Sequence, residues 1–345
     1  MNPVISILFR VIPLAMGAVC LAYGAYIWAM GSESTSYIAG HVVTFLSLIC
    51  IALFSTAATI IRQINHTDSP FLRFWLPMLG YGAAAVGIVA GLAYFAEGTA
   101  EEFVVGHVVF GLGLIACCVA TVAFASTKFM LIPLNSRAVP EMRPENAFPA
   151  GICALLLLIP VVCTLLAWLW GYTALYDVAD AAHYVAGHVL VGIGFVCASL
   201  IALVASVVHQ IQNTYTETER RFWPLFVAAM GSCNLLWGLY VLSNPSPDAV
   251  APGFVLIGLG FVCYSILSKV LLLALVWRQN CPLANRIPLI PVFTALFCLF
   301  LAAFLFEAAG VNPAFFVPAR VLVGLGGVCF TLFSIVSLLE SGTSR

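Results

Sequence analysis

Ten long apolar segments follow one another along the 345 residues of this chain and leave little sequence for a water-soluble domain. A helix that crosses the hydrocarbon core of a bilayer needs about 20 apolar residues. Because only 8% of the residues are charged and 63% are hydrophobic, a soluble fold with a charged exterior is excluded. We therefore predict an all-α polytopic membrane protein with ten spanning helices, at about residues 4–30, 37–64, 71–95, 103–127, 149–175, 183–211, 222–242, 251–277, 288–309 and 315–339.

The cationic residues indicate the orientation of the chain. Eleven of the 13 Lys and Arg residues lie at the termini or on one side of the predicted membrane, and the other two lie inside helices. Lys and Arg beside spans are retained on the cytoplasmic side, so we predict that both termini are cytoplasmic. The connections on the opposite, periplasmic side contain only acidic charges, at Glu33, Glu97, Glu101, Glu102, Asp177, Asp180 and Asp248.

A short motif recurs at the start of every even-numbered segment. We call its last residue the anchor. The anchors are spaced 66, 81, 66 and 66 residues apart, and the 15 extra residues fall in one cytoplasmic connection. The five copies are Tyr37–His41, Phe103–His107, Tyr184–His188, Val250–Phe254 and Phe316–Arg320. We predict one transmembrane domain of five helical-hairpin repeats, at about 1–66, 67–134, 148–213, 214–279 and 280–345, with a cytoplasmic insertion at 135–147.

The predicted repeats are parallel, because each contains two spans and therefore enters the membrane in the same orientation. Parallel repeats are related by rotation about the membrane normal. This relation predicts a pseudo-five-fold ring or arc of hairpins, with the even-numbered helices inside and the odd-numbered helices outside.

Small and hydroxylated residues recur on one stripe of the even-numbered helices. Small residues allow close helix contacts and hydroxyls bond neighbouring backbones, so the stripe indicates either tight packing without a pore or a narrow polar conduit. Its members lie four, eleven and fourteen residues after the anchors: Gly111, Gly192, Gly258, Gly324, Cys118, Ser199, Ser265, Thr331, Ser55, Thr121, Ser268 and Ser334.

Three of the five anchors are histidines. His41, His107 and His188 occupy one repeat position, and Phe254 and Arg320 occupy it in the last two copies. Imidazole changes its charge in mild acid, so one interpretation is an acid-sensitive gate at the periplasmic side. The alternative is that each histidine bonds to a neighbouring helix.

Two further ionisable residues lie inside spans, where charges are costly and usually face a cavity or a partner. Lys269 is placed in the cytoplasmic half of its helix, where it either faces the interior or snorkels to the surface. Glu307 lies near the periplasmic end of the preceding helix of the last hairpin, within predicted reach of Arg320 as an ion pair.

Catalytic and cofactor motifs do not emerge from the sequence. Eleven of the 12 cysteines lie within spans and no CxxC occurs, so they are interpreted as small apolar residues. We predict no enzyme activity, no cofactor and no metal. Nucleic-acid binding is excluded because no large basic patch lies outside the membrane.

The five GH-type motifs and the run from Cys281 to Thr294, continuing to Arg320–Gly326, resemble the YhiM family of enterobacterial inner-membrane proteins. The resemblance extends over essentially the whole chain and is densest after residue 250. It implies an inner-membrane location and an association with acid stress, and it supplies no catalytic or binding residues.

Three functions are open at this point. The first is a channel or transporter that passes a small anion or a neutral solute through an acid-sensitive gate. The second is a pore-free membrane sensor or structural protein of the acid-stress response. An unknown partner would bind its insertion between Arg137 and Glu145. The third is haem or metal binding through the repeated histidines.

Overall fold

The chain is described by a computed structural model that covers residues 3–31, 33–65, 67, 69–129, 147–177, 180–278 and 286–343. These residues form ten long α-helices and no strand, which confirms the ten predicted spans. Residues 135–146 of the predicted insertion, with Arg137 and Arg143, and also Cys281 and Arg345, lie outside the described residues. The helices are α1 (Pro3–Met30), α2 (Ser34–Ile64), α3 (Pro70–Phe95), α4 (Ala100–Phe129), α5 (Ala150–Asp177), α6 (Ala181–Ile211), α7 (Glu217–Leu242), α8 (Val250–Arg278), α9 (Leu289–Ala309) and α10 (Phe316–Thr343).

Polar residues define several of the helix starts. The Ser69 hydroxyl accepts a hydrogen bond from the backbone N–H of Leu72, and the Asp180 carboxylate accepts one from the N–H of Ala182. Thr216 and Glu219 form a reciprocal capping box at the start of α7. Each cap satisfies backbone donors that the first turn of a helix leaves unpaired, so the apolar segments begin at defined residues.

Burial divides the helices into two classes. Between 72% and 89% of the most apolar window of each even-numbered helix is buried within the protein, against 22% to 33% for the odd-numbered helices. A helix that is apolar all round belongs in a protein interior or in lipid. We therefore call α2, α4, α6, α8 and α10 the inner helices and the other five the outer helices.

Each inner helix contacts two other inner helices. α2 contacts α4, α4 contacts α6, α6 contacts α8, and α8 contacts α10. The last inner helix, α10, in turn contacts α2. Each outer helix packs against the inner helix that follows it in the chain. It also contacts the inner helix of one neighbouring hairpin, for example α3 against α2 and α1 against α10.

Glycine pairs allow the two helices of a hairpin to approach closely. A methyl group on Gly171 of α5 would lie 3.0 Å from the carbonyl oxygen of Gly187 on α6, which is tighter than ordinary packing allows. A glycine on the outer helix meets a glycine on the inner helix in the same way in three other hairpins: Gly24 with Gly40, Gly91 with Gly106, and Gly238 with Gly253.

Candidate functional site

Two ends of the helix assembly differ in charge. The acidic end carries the connections from outer to inner helices, with Glu33, Glu97 and Asp248, and the basic end carries Arg62, Arg73 and Lys128. The carboxylate of Glu102, which accepts hydrogen bonds from Thr99, raises the pKa of the exposed Glu97 beside it by hydrogen bonding and by charge repulsion.

A funnel opens at the acidic end between all five hairpins. Its volume is about 440 Å³, and the carboxylates of Glu101 and Asp248 lie in its wall. The apolar part of the wall includes the residues three positions before each anchor, which are Ile38, Val104, Val185, Ala251 and Val317.

A small cavity lies deeper between the inner helices, and every inner helix contributes to its wall. Its volume is about 20 Å³, which leaves room for roughly one water molecule. Fifteen of its lining residues are Leu, Ile or Val, and the remaining one is Lys269. The lining residues lie five, eight, twelve and fifteen positions after the anchors: Leu112, Leu259, Leu325, Ile49, Ile115, Val196, Val262, Val328, Leu53, Val119, Leu200, Ile266, Leu332, Val122, Leu203 and Lys269.

The funnel and the cavity are lined by one continuous face of the inner helices, which we call the axial face. Positions three before and one, five, eight and twelve after the anchor share one side of a helix. One residue after the anchor stands a buried valine in every hairpin. The periodicity of the helix places these five valines between the residues of the funnel and those of the cavity. They are Val42, Val108, Val189, Val255 and Val321.

Lys269 is the charged residue of the axial face. Its side chain is only 2% exposed, and it also lines a second cavity of about 20 Å³ toward the basic end. Thr56 and Ser126 contribute hydroxyls to that second cavity. Among the described residues, the Lys269 ammonium has neither a hydrogen bond nor an ion pair. The side chain therefore points to the interior of the helix assembly rather than to the surface.

The histidine anchors face the outer helices, not the funnel or the cavity. Nδ1 of His41, His107 and His188 donates to the carbonyl oxygen four residues earlier, at 2.7 to 2.8 Å. His107 is 3% exposed, and its ring lies 4.4 Å from the ring of Phe95 and 6.3 Å from that of Trp170.

The other two histidines have similar aromatic surroundings. The His41 ring centroid lies 5.4 Å from that of Trp28 and 5.5 Å from that of Tyr94, and the His188 ring lies 6.1 Å from that of Trp237. Each imidazole thus contacts an aromatic residue of the next outer helix along the chain. The gating role predicted for these residues stays a prediction.

The last two anchors also lie against aromatic rings. Phe254 contacts Phe315, with 6.2 Å between the ring centroids. The guanidinium carbon of Arg320 lies 3.3 Å from the Phe316 ring centroid and 5.0 Å from that of Phe306. Glu307 is exposed, and no ion pair between it and Arg320 is present among the described residues.

The glycines of the small-residue stripe lie where neighbouring inner helices touch. A methyl group on Gly111 would meet Ile193 and Leu190, and one on Gly258 would meet Leu325 and Leu322. Gly192 meets Leu256 and Leu259 in the same way, and Gly324 meets Leu46. Aliphatic side chains of one inner helix therefore fill notches in the previous one.

The hydroxyls of the stripe serve helix packing. Ser55 donates to the carbonyl oxygen of Leu76 on α3 at 2.5 Å, and Ser265 lies 2.6 Å from the hydroxyl of Thr294 on α9. Thr121 bonds Tyr81 at 3.0 Å. The others donate to carbonyl oxygens of their own helices, as found for Ser199, Ser268, Thr331 and Ser334, while Cys118 is fully buried.

Sequence reasoning missed two polar contacts. Asn234 of α7 is fully buried, and its Nδ2 donates to the carbonyl oxygen of Gly192 at 3.2 Å. At the basic end, His209 and Glu219 pair at 2.5 Å, and burial raises the pKa of the nearby Tyr215 to about 12. The T-x-x-E spacing of Thr216 and Glu219 is the signal that predicts the capping box there.

Metal-ligating residues do not cluster in the described part of the chain, where no group of three or more His, Cys, Asp or Glu side chains has a suitable arrangement. The imidazoles of the three histidine anchors are instead distributed over three inner helices.

Comparison with known proteins agrees with the membrane architecture. The chain is 48% identical to the "Inner membrane protein YhiM" of Escherichia coli (strain K12) over 349 aligned residues, which cover 100% of both chains. The chain is thus an inner membrane protein with ten apolar helices. The family model described as "Protein of unknown function (DUF2776)" matches residues 1–344, and the chain therefore belongs to the DUF2776 family.

Proposed function

We propose that this protein is a channel or transporter of the inner membrane, in which five hairpin repeats surround an axial path for a small anion or a neutral solute. The observation that carries the proposal is the alignment of the funnel with the central cavity along one face of all five inner helices. Pores of membrane proteins are lined in this way by equivalent segments around an axis.

The proposed pseudo-five-fold ring is supported by the order of helix contacts. Each inner helix touches its neighbours in the chain order of the hairpins, and the last touches the first. The repeated notch contacts, in which a glycine four residues after one anchor receives aliphatic side chains of the next hairpin, have the same order. The uneven distribution of Lys and Arg favours a cytoplasmic location for both termini.

In this proposal, the conformation described here is closed. Layers of Val, Leu and Ile lie between the funnel and Lys269, and the space between them is about 20 Å³. Hydrophobic constrictions exclude water and thereby ions, so conduction requires the inner helices to move apart.

The histidine anchors would make that movement sensitive to acid through helix packing. Each imidazole lies between an inner helix and the aromatic residues of outer helices. Protonation would place a positive charge in three contacts of the same kind and change how the inner helices pack. The histidines would then act beside the path and not across its opening.

Ion flux into liposomes tests this proposal. Purified protein is reconstituted, and flux is measured at pH 7.5 and pH 5 for the wild type and for a triple variant with His41→Phe, His107→Phe and His188→Phe. Phenylalanine preserves an aromatic ring, as at Phe254, but cannot be protonated. We expect flux that rises in acid for the wild type and does not rise for the variant.

The alternative is a pore-free sensor or structural protein, which is favoured by the narrowness of the central cavity. It predicts no flux at either pH but an acid-dependent change in packing. Trp28, Trp170 and Trp237 lie 5.4 to 6.3 Å from the three histidine anchors. A change in tryptophan fluorescence in acid that is lost in the triple variant, without flux, would support this second function.

A further inference from the structure

Lys269 lies where the two small cavities of the axial face meet. It lines both the cavity nearer the acidic end and the cavity nearer the basic end, and only 2% of its surface is exposed. We propose that Lys269 forms a binding site for one small monovalent anion of halide size. The inference deepens the proposed function and rests on it, because it names the solute class of the same axial path.

The first argument for an anion is that the Lys269 ammonium has no carboxylate near it in either cavity. Neither cavity contains a carboxylate in its wall. Within the described residues, the carboxylates of the spanning helices lie near the helix ends, as at Glu102 and Glu219, or are exposed, as at Glu307. A buried ammonium is costly unless it is paired, and an anion from solution would supply the charge that the protein does not.

The size of the two cavities limits which anions can bind beside Lys269. Each has a volume of about 20 Å³, enough for roughly one water molecule. A bare halide fits such a space with slight expansion, whereas a dicarboxylate or a sulfate requires the inner helices to separate. The site therefore favours small monovalent anions in the closed conformation.

Hydroxyl groups complete the site on its basic side. Thr56 and Ser126 line the same cavity as Lys269, and their hydroxyls now donate to the carbonyl oxygens of Ala52 and Val122, at 3.2 and 2.7 Å. A hydroxyl group can rotate and donate to another acceptor. An anion beside the ammonium would thus receive one charged donor and up to two neutral donors.

Binding is tested first, without any transport measurement. The detergent-purified full chain is heated in bromide and in gluconate at equal ionic strength, for wild type and Lys269→Met. Methionine removes the charge and preserves the length of the side chain, and replacing a buried charge with an apolar residue is often tolerated. We expect bromide to raise the unfolding temperature of the wild type by about 2 to 4 °C and not that of the variant.

The matched control changes another residue of the same layer. Leu203 lies fifteen residues after its anchor, as Lys269 does, and lines both cavities. Combining Lys269→Met with Leu203→Lys moves the charge to an equivalent position on α6 and should restore the effect.

Flux separates failure of the site from failure of the channel. In conducting liposomes, Lys269→Met should lower bromide flux about tenfold or more. If bromide stabilises the wild type and not Lys269→Met but no flux is found, the anion site stands and the proposed function fails. Equal stabilisation of both proteins, or the absence of any bromide effect, would overturn the anion site.

Discussion

The inner helices have two faces that differ in composition and in what they contact. The axial face is made of Val, Leu and Ile with one alanine and one lysine, and it surrounds the funnel and the central cavity. The side that carries the anchors and the small-residue stripe, which we call the anchor face, has histidines, glycines and hydroxyls and packs against other helices. The residues that recur most distinctively in the sequence therefore mark helix contacts, whereas the face around the axis is chemically plain.

The lipid around the protein explains why the two faces differ in composition. Lipid is as apolar as a leucine side chain, so helices in a membrane gain little from burying apolar surface against one another. Close packing at glycines and hydrogen bonds from hydroxyls provide the association instead. The axial face needs only to exclude water in the closed conformation, and aliphatic side chains achieve this.

The largest expected effect is at a glycine of a hairpin contact. A methyl group on Gly91 would lie 2.5 Å from the backbone nitrogen of Phe110, whereas one on Gly82 of the same helix would meet no atom within 4 Å. We expect Gly91→Ala to lower the free energy of unfolding by about 1 to 3 kcal/mol. Gly82→Ala should be neutral or raise it by up to about 1 kcal/mol, because alanine favours helix.

Denaturant titration in detergent micelles measures both glycine variants. Equal stability of Gly91→Ala and Gly82→Ala would mean that the hairpin contact is looser than described, and would weaken the distinction between a packing face and an axial face.

The second prediction concerns the axial face. Val196→Thr, Val262→Thr and Val328→Thr together preserve side-chain shape but place three hydroxyls in one layer of the central cavity. Because a wetter constriction resists ions less, we expect basal flux in liposomes to rise about tenfold, which corresponds to about 1.4 kcal/mol in the barrier.

The control for this variant carries the same three substitutions on the exposed outer helices. Val86, Val89 and Val162 are 54%, 66% and 41% exposed, so threonines there face the surroundings of the protein. Flux should stay at the wild-type value. If both triple variants conduct equally, the leak does not pass along the axial face.

The sequence predicted the helices well because bilayer thickness sets their length. The predicted segment 4–30 corresponds to Pro3–Met30, and 251–277 corresponds to Val250–Arg278. The deep burial of α2, α4, α6, α8 and α10 also agrees with an inner position for the even-numbered helices.

The orientation of each helix about its own axis was harder to predict. The small-residue stripe lies four, eleven and fourteen residues after the anchors, whereas the cavity lining lies five, eight, twelve and fifteen residues after them. A shift of one residue is a rotation of about 100° on a helix. Hydrophobic periodicity cannot separate these faces, because lipid, a neighbouring helix and a closed axis are all apolar surroundings. Lys269 was detectable from sequence because an isolated charge in a span is rare, but only the packing places it beside the cavity.

The smallest expected effect is that of a conservative substitution at an anchor, His188→Phe. The His188 ring packs 4.2 Å from the ring of Tyr184, and the corresponding anchor of the next hairpin is Phe254. We expect His188→Phe to change the free energy of unfolding at neutral pH by less than about 1 kcal/mol, because ring volume is nearly preserved. His188→Ala should cost about 2 kcal/mol or more through the void it leaves. If thermal unfolding finds the two variants equally unstable, the bond from the imidazole to the Tyr184 carbonyl matters more than ring packing, and the anchor face owes its stability to polar contacts.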